Sequence, residues 1–158
     1  MTMSLEERVR IIEDREEISR LRVKYTLFND GGFNGMTTHH DIDGLMELFA
    51  PDAVWEGPSS TRTATGIDEI RQLMIDFQAT PFVIHNVMNP IIDVAGDRAT
   101  GNWHAIILIG HSGEAIWMFG NYEEEYVRLE GTWKFKSVRY VPAVEAPYKE
   151  GWGKLVAQ

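Results

Sequence analysis

The segment FVIHNVMNPIIDVAGDRATGNWHAIILIG, residues 82–110, decides the fold. It contains two runs rich in β-branched and aromatic residues, 82–94 and 98–110, separated by a glycine-containing turn. In the second run Trp103, Ala105, Ile107 and Ile109 alternate onto one side, while Ile106 and Leu108 take the other. Residues 115–129 and 132–141 continue in the same character, each after another tight turn. The four runs predict a four-stranded antiparallel meander that is apolar on both faces.

Upstream of this sheet the periodicity changes to that of helices. Ser4 with Glu7 three residues later is a capping-box pattern. Ile11, Ile18, Leu21, Tyr25 and Phe28 then form one apolar stripe, so a first helix is expected from about Ser4 to about Asp30, stopped by Gly31-Gly32. After a polar loop over residues 31–40, Asp41 or Asp43 is expected to cap a short helix carrying Leu45, Met46, Leu48 and Phe49 and ended by Pro51. Val54-Trp55-Glu56 reads as a short strand before a loop, and residues 67–77 as a third helix with Ile70, Leu73, Met74 and Phe77 on one side. The tail from 142 to 158 reads as an irregular covering arm. Helices first and strands after give an α+β fold in a single domain, residues 1–158, with helices on one face of a sheet. The second apolar face predicts a homo-oligomer, a trimer or dimer, with sheet surfaces buried against one another.

Composition narrows the function. The 24 acidic residues against 15 basic ones give a net charge of −9, which disfavours nucleic acid and anionic membranes as partners. With no cysteine, disulfides, thiolate catalysis and cysteine-held metals drop out. The first ten residues already carry Glu6, Glu7, Arg8 and Arg10, which leaves no room there for a signal-peptide apolar region, and no apolar run suits a membrane helix; a cytoplasmic protein is expected. His39-His40-Asp41-Ile42-Asp43 superficially resembles a metal cluster, but helix capping explains the acids and no metal is expected. No phosphate loop, nucleophile elbow or dinucleotide fingerprint is present.

Several pieces, in order, match a known pattern: Glu17-Ile18 leading to Leu21, Tyr25 and Asp30; Leu48-Phe49-Ala50-Pro51-Asp52-Ala53-Val54-Trp55; Gly66 with Glu69-Ile70; His85 to Asn89 with Ile92-Asp93-Val94 and Gly96-Asp97; and Gly131-Thr132-Trp133-Lys134-Phe135. Together they resemble the SnoaL-like branch of the nuclear transport factor 2-like superfamily. That resemblance implies a cone-shaped, curved antiparallel sheet whose concave face is covered by three helices around a deep pocket. It also implies a choice among dehydratases, dehydrochlorinases, isomerases, cyclases and non-catalytic binders, so the residues must decide function.

Asp30 falls at the negative end of the first helix, where a carboxylate is unfavourable unless used, although Asp is also a common turn residue. His85 could be an ordinary half-buried sheet residue. Scytalone dehydratase-like, bile-acid 7α-dehydratase-like and hexachlorocyclohexane dehydrochlorinase-like proteins carry an Asp and a His at the corresponding places, with an Asn four residues after the His, as Asn89 is here. The resemblance implies a dyad in which neutral imidazole takes a proton and the carboxylate fixes its tautomer. Tyr25, roughly 140° from Asp30 around the helix, lies on the apolar stripe and is a core residue or, by resemblance, a catalytic hydroxyl.

If Gly96-Asp97 is a two-residue turn, His104 faces Asn89 and shares the pocket side with His85; a one-residue slip would turn it away. The related dehydratases place a second polar group further along this strand, where Ile106 to Ile109 stand here. Tyr122 and Trp55 are aromatic candidates for the pocket wall or for plain packing. The expected function is a cofactor-independent acid–base enzyme, a dehydratase or dehydrohalogenase-type lyase or an isomerase. Its catalytic residues would be Asp30, His85 and Tyr25, with His104, Asn89, Tyr122 and Trp55 binding a small hydrophobic ring compound. The alternative is a non-catalytic binding module, or a polyketide cyclase-like protein, using the same pocket.

Overall fold

Helix α1 (Leu5–Asn29) begins at a reciprocal cap: the Glu7 N–H donates to Ser4 Oγ at 3.1 Å, and the Ser4 N–H donates to the Glu7 carboxylate at 2.7 Å. In this computed structural model, which describes residues 3–32, 41–58 and 62–153, α1 ends where Asp30 takes an extended ψ of 121°. The short α2 (Ile42–Met46) is capped by Asp41, whose Oδ1 accepts the Gly44 N–H at 2.8 Å; His39 and His40 lie outside the described residues.

Leu48 and Phe49 were expected in this helix, and they are not in it. The chain turns extended two residues before Pro51, and β1 (Phe49–Glu56) runs through the proline. The reason is the core: Leu48 C=O accepts the Phe135 N–H at 2.8 Å, and Phe49 packs its ring against Phe135. Pro51 is tolerated because it sits where the strand pairing is interrupted, between Phe49 and Val54, so no ladder bond requires its missing N–H.

A three-residue strand, β2 (Thr63–Thr65), pairs with β1 inside the stretch expected to be loop. Helix α3 (Ile67–Phe77) follows at its expected place. The meander is β3 (Phe82–Ala95), β4 (Arg98–His111), β5 (Glu114–Leu129) and β6 (Thr132–Pro147). The sheet order is β2-β1-β6-β5-β4-β3, antiparallel throughout except that β1 lies parallel to β6. Among the described residues the fold is thus α+β, with three helices and a six-stranded open sheet that is mixed, β1 and β6 being parallel.

Residues 142–147 are strand, not arm: Ala146 and Pro147 pair with Trp117 and Ile116. The covering role passes to the residues that follow. Tyr148 stacks on Trp117 with centroids 5.7 Å apart, and Trp152 meets the edges of Trp117 and Phe119 at 5.5 and 5.2 Å. This screens part of the second apolar face from water, where Trp117 and Phe119 are half-buried.

On the other face, Ile18, Leu21 and Tyr25 of α1 join the core formed by Phe49, Trp103, Ala105, Ile107, Tyr122, Phe135 and Val138. Near the start of α1, buried Asp14 accepts bonds from Arg128 at 2.5 Å and from the Trp133 indole at 3.2 Å, which pins the helix to β5 and β6. No helix among the described residues is long and apolar enough to cross a membrane.

The β5–β6 turn supplies a stability test. Glu130 and Gly131 have φ of 50° and 81° between the paired Leu129 and Thr132, the left-handed pair that a tight hairpin needs. Glu is a poor residue there and Asn a good one, so Glu130→Asn is expected to raise stability by about 1 kcal/mol in urea unfolding.

Candidate active site

The site begins with the end of α1. Because Asp30 leaves the helix as an extended residue, its side chain turns toward β3 rather than continuing around the helix. Its carboxylate, only 2% exposed, meets His85 twice. Oδ2 accepts the His85 backbone N–H at 2.9 Å, and Oδ1 lies 2.5 Å from His85 Nδ1. An ionised carboxylate can only accept, so the proton between them belongs to Nδ1, and the lone pair of the neutral ring lies on Nε2. The burial of Asp30 is tolerated because these two bonds reward its charge.

His85 is on β3 opposite Ile107, which is opposite Met118 of β5. All three line a cavity of about 350 Å³. Its wall also includes Tyr25 and Asn29 from α1, Trp55 from β1, Met74 and Phe77 from α3, Tyr122 from β5 and Tyr140 from β6. The lining is mainly apolar with a few polar groups, the usual make-up of a small-molecule site. Trp55 Nε1–H donates to the Tyr25 hydroxyl oxygen at 2.9 Å, so the tyrosine's own proton is free to be donated elsewhere. The Tyr122 ring centroid is 6.5 Å from that of His85. Asp30, His85, Tyr25, Tyr122 and Trp55 are therefore brought together in space.

His104 and Asn89 do not. Near the turn the pairing is as expected, with Ala95 opposite Arg98 and Ile91 opposite Asn102. At Asn89-Pro90 the pairing shifts by one residue, and Met88 then faces His104 while His85 faces Ile107. Proline cannot donate to the ladder, and Asn89 takes a left-handed φ of 54°, so β3 accommodates an extra residue here. Every side chain beyond that point changes face relative to an unbroken hairpin. His104 is exposed on the opposite side of the sheet, its Nδ1 3.2 Å from Asn89 Nδ2, and neither lines the cavity. The same shift puts Ile107 and Ile109 on the cavity wall.

Sequence reasoning missed the polar layer behind this wall. Arg22 of α1 is 1% exposed, and its guanidinium lies 4.0 Å from the Tyr122 ring centroid and 4.6 Å from that of Tyr25. Its Nη1 is 3.3 Å from Glu124 Oε1, an ion pair without hydrogen-bond alignment. The other Glu124 oxygen accepts the Tyr126 hydroxyl proton, and the Tyr126 oxygen accepts the Trp103 indole N–H at 3.0 Å. Burial pushes the Glu124 carboxyl above its ordinary range, with Arg22 and the Tyr126 hydroxyl pulling it back. Burial likewise raises Tyr25 and Tyr122, against the pull of the Arg22 charge. A signal was available: Arg22 follows Ile18 and precedes Tyr25 at helical spacing, a charge on the apolar stripe. Among the described residues, no group of three or more His, Asp or Glu is arranged to hold a metal.

A family profile for the SnoaL-like domain matches residues 10–139. Similar solved structures include hexachlorocyclohexane dehydrochlorinase LinA type 2, at TM-score 0.75 and 20% identity over 86% of this chain and 89% of that one. A protein from Novosphingobium aromaticivorans assigned as a scytalone dehydratase aligns at TM-score 0.73 and 21% identity, over 87% and 89% of the two chains. A second protein from that organism, assigned as an aromatic ring hydroxylase, reaches TM-score 0.77 and 24% identity over 88% and 96%. At these identities the likeness is one of fold. Comparison with curated protein sequences finds no match.

Proposed function

The chain belongs to the SnoaL-like domain family, and from that premise we propose that it is an acid–base lyase that eliminates water or halide from a small, mostly apolar ring compound. The observation that carries this reading is the double contact between buried Asp30 and His85 at the edge of an apolar cavity. Nδ1 is committed to Asp30, which makes Nε2 the nitrogen that can accept a proton. His85 would take that proton from a substrate C–H. The C–H electron pair forms the new carbon–carbon double bond as hydroxide or halide leaves the neighbouring carbon with its own bonding pair. Asp30 stabilises the imidazolium so formed, and Tyr25, whose hydroxyl is oriented by Trp55, donates toward the departing or carbonyl oxygen. Return of the proton from His85 to the leaving group or to solvent completes the cycle. The dehydrochlorinase and dehydratase names among the structural neighbours point to the same class of chemistry.

The test is a panel of cyclic compounds bearing a hydroxyl or a chlorine next to an acidified C–H, incubated with the full chain in deuterated water. Alkene formation and halide release are followed by NMR. At least one member should be eliminated, and His85→Gln should slow that reaction by about 10²–10⁴-fold. Panel members that bind in the cavity without elimination or deuterium exchange would favour a non-catalytic binder, and an unimpaired His85→Gln would remove His85 as the base.

A further inference from the structure

Arg22 has no place in the elimination described above, yet it is among the most deeply buried side chains of the protein. A buried guanidinium is costly, and pairing it with a carboxylate seldom makes it more stabilising than apolar side chains of the same size would be. Its position is distinctive. It lies behind the cavity wall, over the rings of both Tyr25 and Tyr122, and neither ring contacts the cavity without also contacting this cation. Among the described residues no aligned hydrogen-bond partner meets its three nitrogens, so the side chains of Tyr25 and Tyr122 and the carboxylate of Glu124 are its partners. Glu124 is two residues from Tyr122 on the same face of β5 and is itself tied to Tyr126. The pair is therefore oriented, with the cation against the tyrosines and the anion anchored toward Tyr126.

A cation against a phenol ring in a dry environment favours electron withdrawal from the hydroxyl and strengthens it as a hydrogen-bond donor. We propose that Arg22 is a positioning residue that makes the cavity selective for ligands bearing an anionic oxygen, acting through the hydroxyls of Tyr25 and Tyr122. Glu124 holds the guanidinium in place. Two independent features support this direction. Burial raises the Tyr25 hydroxyl above its ordinary value, and the nearby Arg22 charge opposes that rise. The Trp55 N–H already occupies a lone pair of the Tyr25 oxygen, which leaves that hydroxyl to act as donor. The site would thus hold an enolate, phenolate or developing alkoxide better than the neutral ring from which it forms. The inference rests on the cavity being the ligand site of the proposed lyase. It does not need His85 to act as a base, so loss of elimination and loss of anion preference are separate results.

The probes are para-nitrophenolate and nitrobenzene, alike in ring size and differing in the anionic oxygen, with affinities measured by titration on the full chain. The wild type should prefer the phenolate, and bound para-nitrophenol should show an absorbance shifted toward its anion. The double variant Arg22→Met with Glu124→Gln removes both charges together and so avoids an unpaired one. It should reduce the preference by about tenfold while nitrobenzene affinity stays within about twofold. Adding this pair to Tyr25→Phe with Tyr122→Phe should cause no further loss, because the hydroxyls through which Arg22 acts are gone. A merely structural Arg22 would weaken both probes equally, and that result overturns the proposal. So does a wild type with no preference for the anion, including one that binds neither probe. If the double variant fails to fold, the anion-shifted absorbance in wild type and its loss in the two Tyr→Phe variants still decide the matter.

Discussion

Replacing Arg22 by Met is expected to lower stability by about 3–5 kcal/mol, a large part of what a domain of this size possesses. The loss comes from what stays behind. Glu124, 3% exposed, keeps its bond from Tyr126 and loses its partner cation. Glu124→Gln should cost a similar amount for the converse reason, leaving Arg22 buried between two aromatic rings without a counter-ion. The double variant should be far less damaged than either single one, since two neutral side chains of similar volume require no compensation. Urea unfolding of the four proteins forms a cycle, and a coupling within about 0.5 kcal/mol of zero would mean that the two charges do not interact.

The pH dependence of these variants carries a definite sign. Burial already raises the folded-state Glu124 carboxyl above its ordinary value of 4.5, and removing Arg22 takes away the charge that opposes the rise. A carboxyl raised on folding binds its proton more tightly in the folded chain than in the unfolded one. Its contribution to stability is complete below the ordinary value and is lost as the pH rises through the folded-state value. The deficit of Arg22→Met relative to wild type should accordingly be smallest in acid and grow as the pH is raised from 4.5. A deficit that instead grows on acidification would show that Glu124 is not the group left uncompensated.

The elements that were legible from sequence were those whose cause is local. Ser4 and Glu7 cap each other across three residues, and the alternation through Trp103, Ala105 and Ile107 is a property of one strand. The pairing of Asp30 with His85 came from the family resemblance and not from local pattern, since each alone reads as an ordinary turn or sheet residue; the structure places the two side chains in contact. What escaped depends on distant partners. Leu48 and Phe49 have a helical sequence neighbourhood, and it is Phe135, far along the chain, that bonds the Leu48 carbonyl and draws Phe49 into a strand. His104 was placed by counting from the Gly96-Asp97 turn, and the count fails at Asn89-Pro90, where the backbone conformation of one residue and the missing donor of the next reset the pairing. Arg22 lies on the apolar stripe in plain view, but only tertiary packing reveals that Glu124 is its partner and that both cavity tyrosines stack on it.

Asp30→Asn should abolish most elimination while leaving the fold intact, a fall of about 10⁴-fold in rate. The reason is geometric. Both carboxylate oxygens of Asp30 act as acceptors, one for the His85 backbone N–H and one for Nδ1–H. An amide of the same shape offers one oxygen and one NH₂. The backbone N–H can only donate, so it claims the oxygen, and the NH₂ must then face Nδ1. A donor opposite Nδ1 requires the lone pair there and moves the ring proton to Nε2. The nitrogen that should accept a substrate proton then carries one of its own, and the imidazolium loses its counter-charge as well. Asp30→Ala would be less informative, because it also strands the His85 N–H and mixes instability with inactivity. The tautomer can be read without a substrate, from the ring-nitrogen NMR shifts of neutral His85 in the two proteins. Protonation at Nδ1 in the wild type and at Nε2 in Asp30→Asn is the expected exchange. An unchanged tautomer accompanied by full activity would remove Asp30 from the chemistry and leave it as a helix-end residue bonded to a strand.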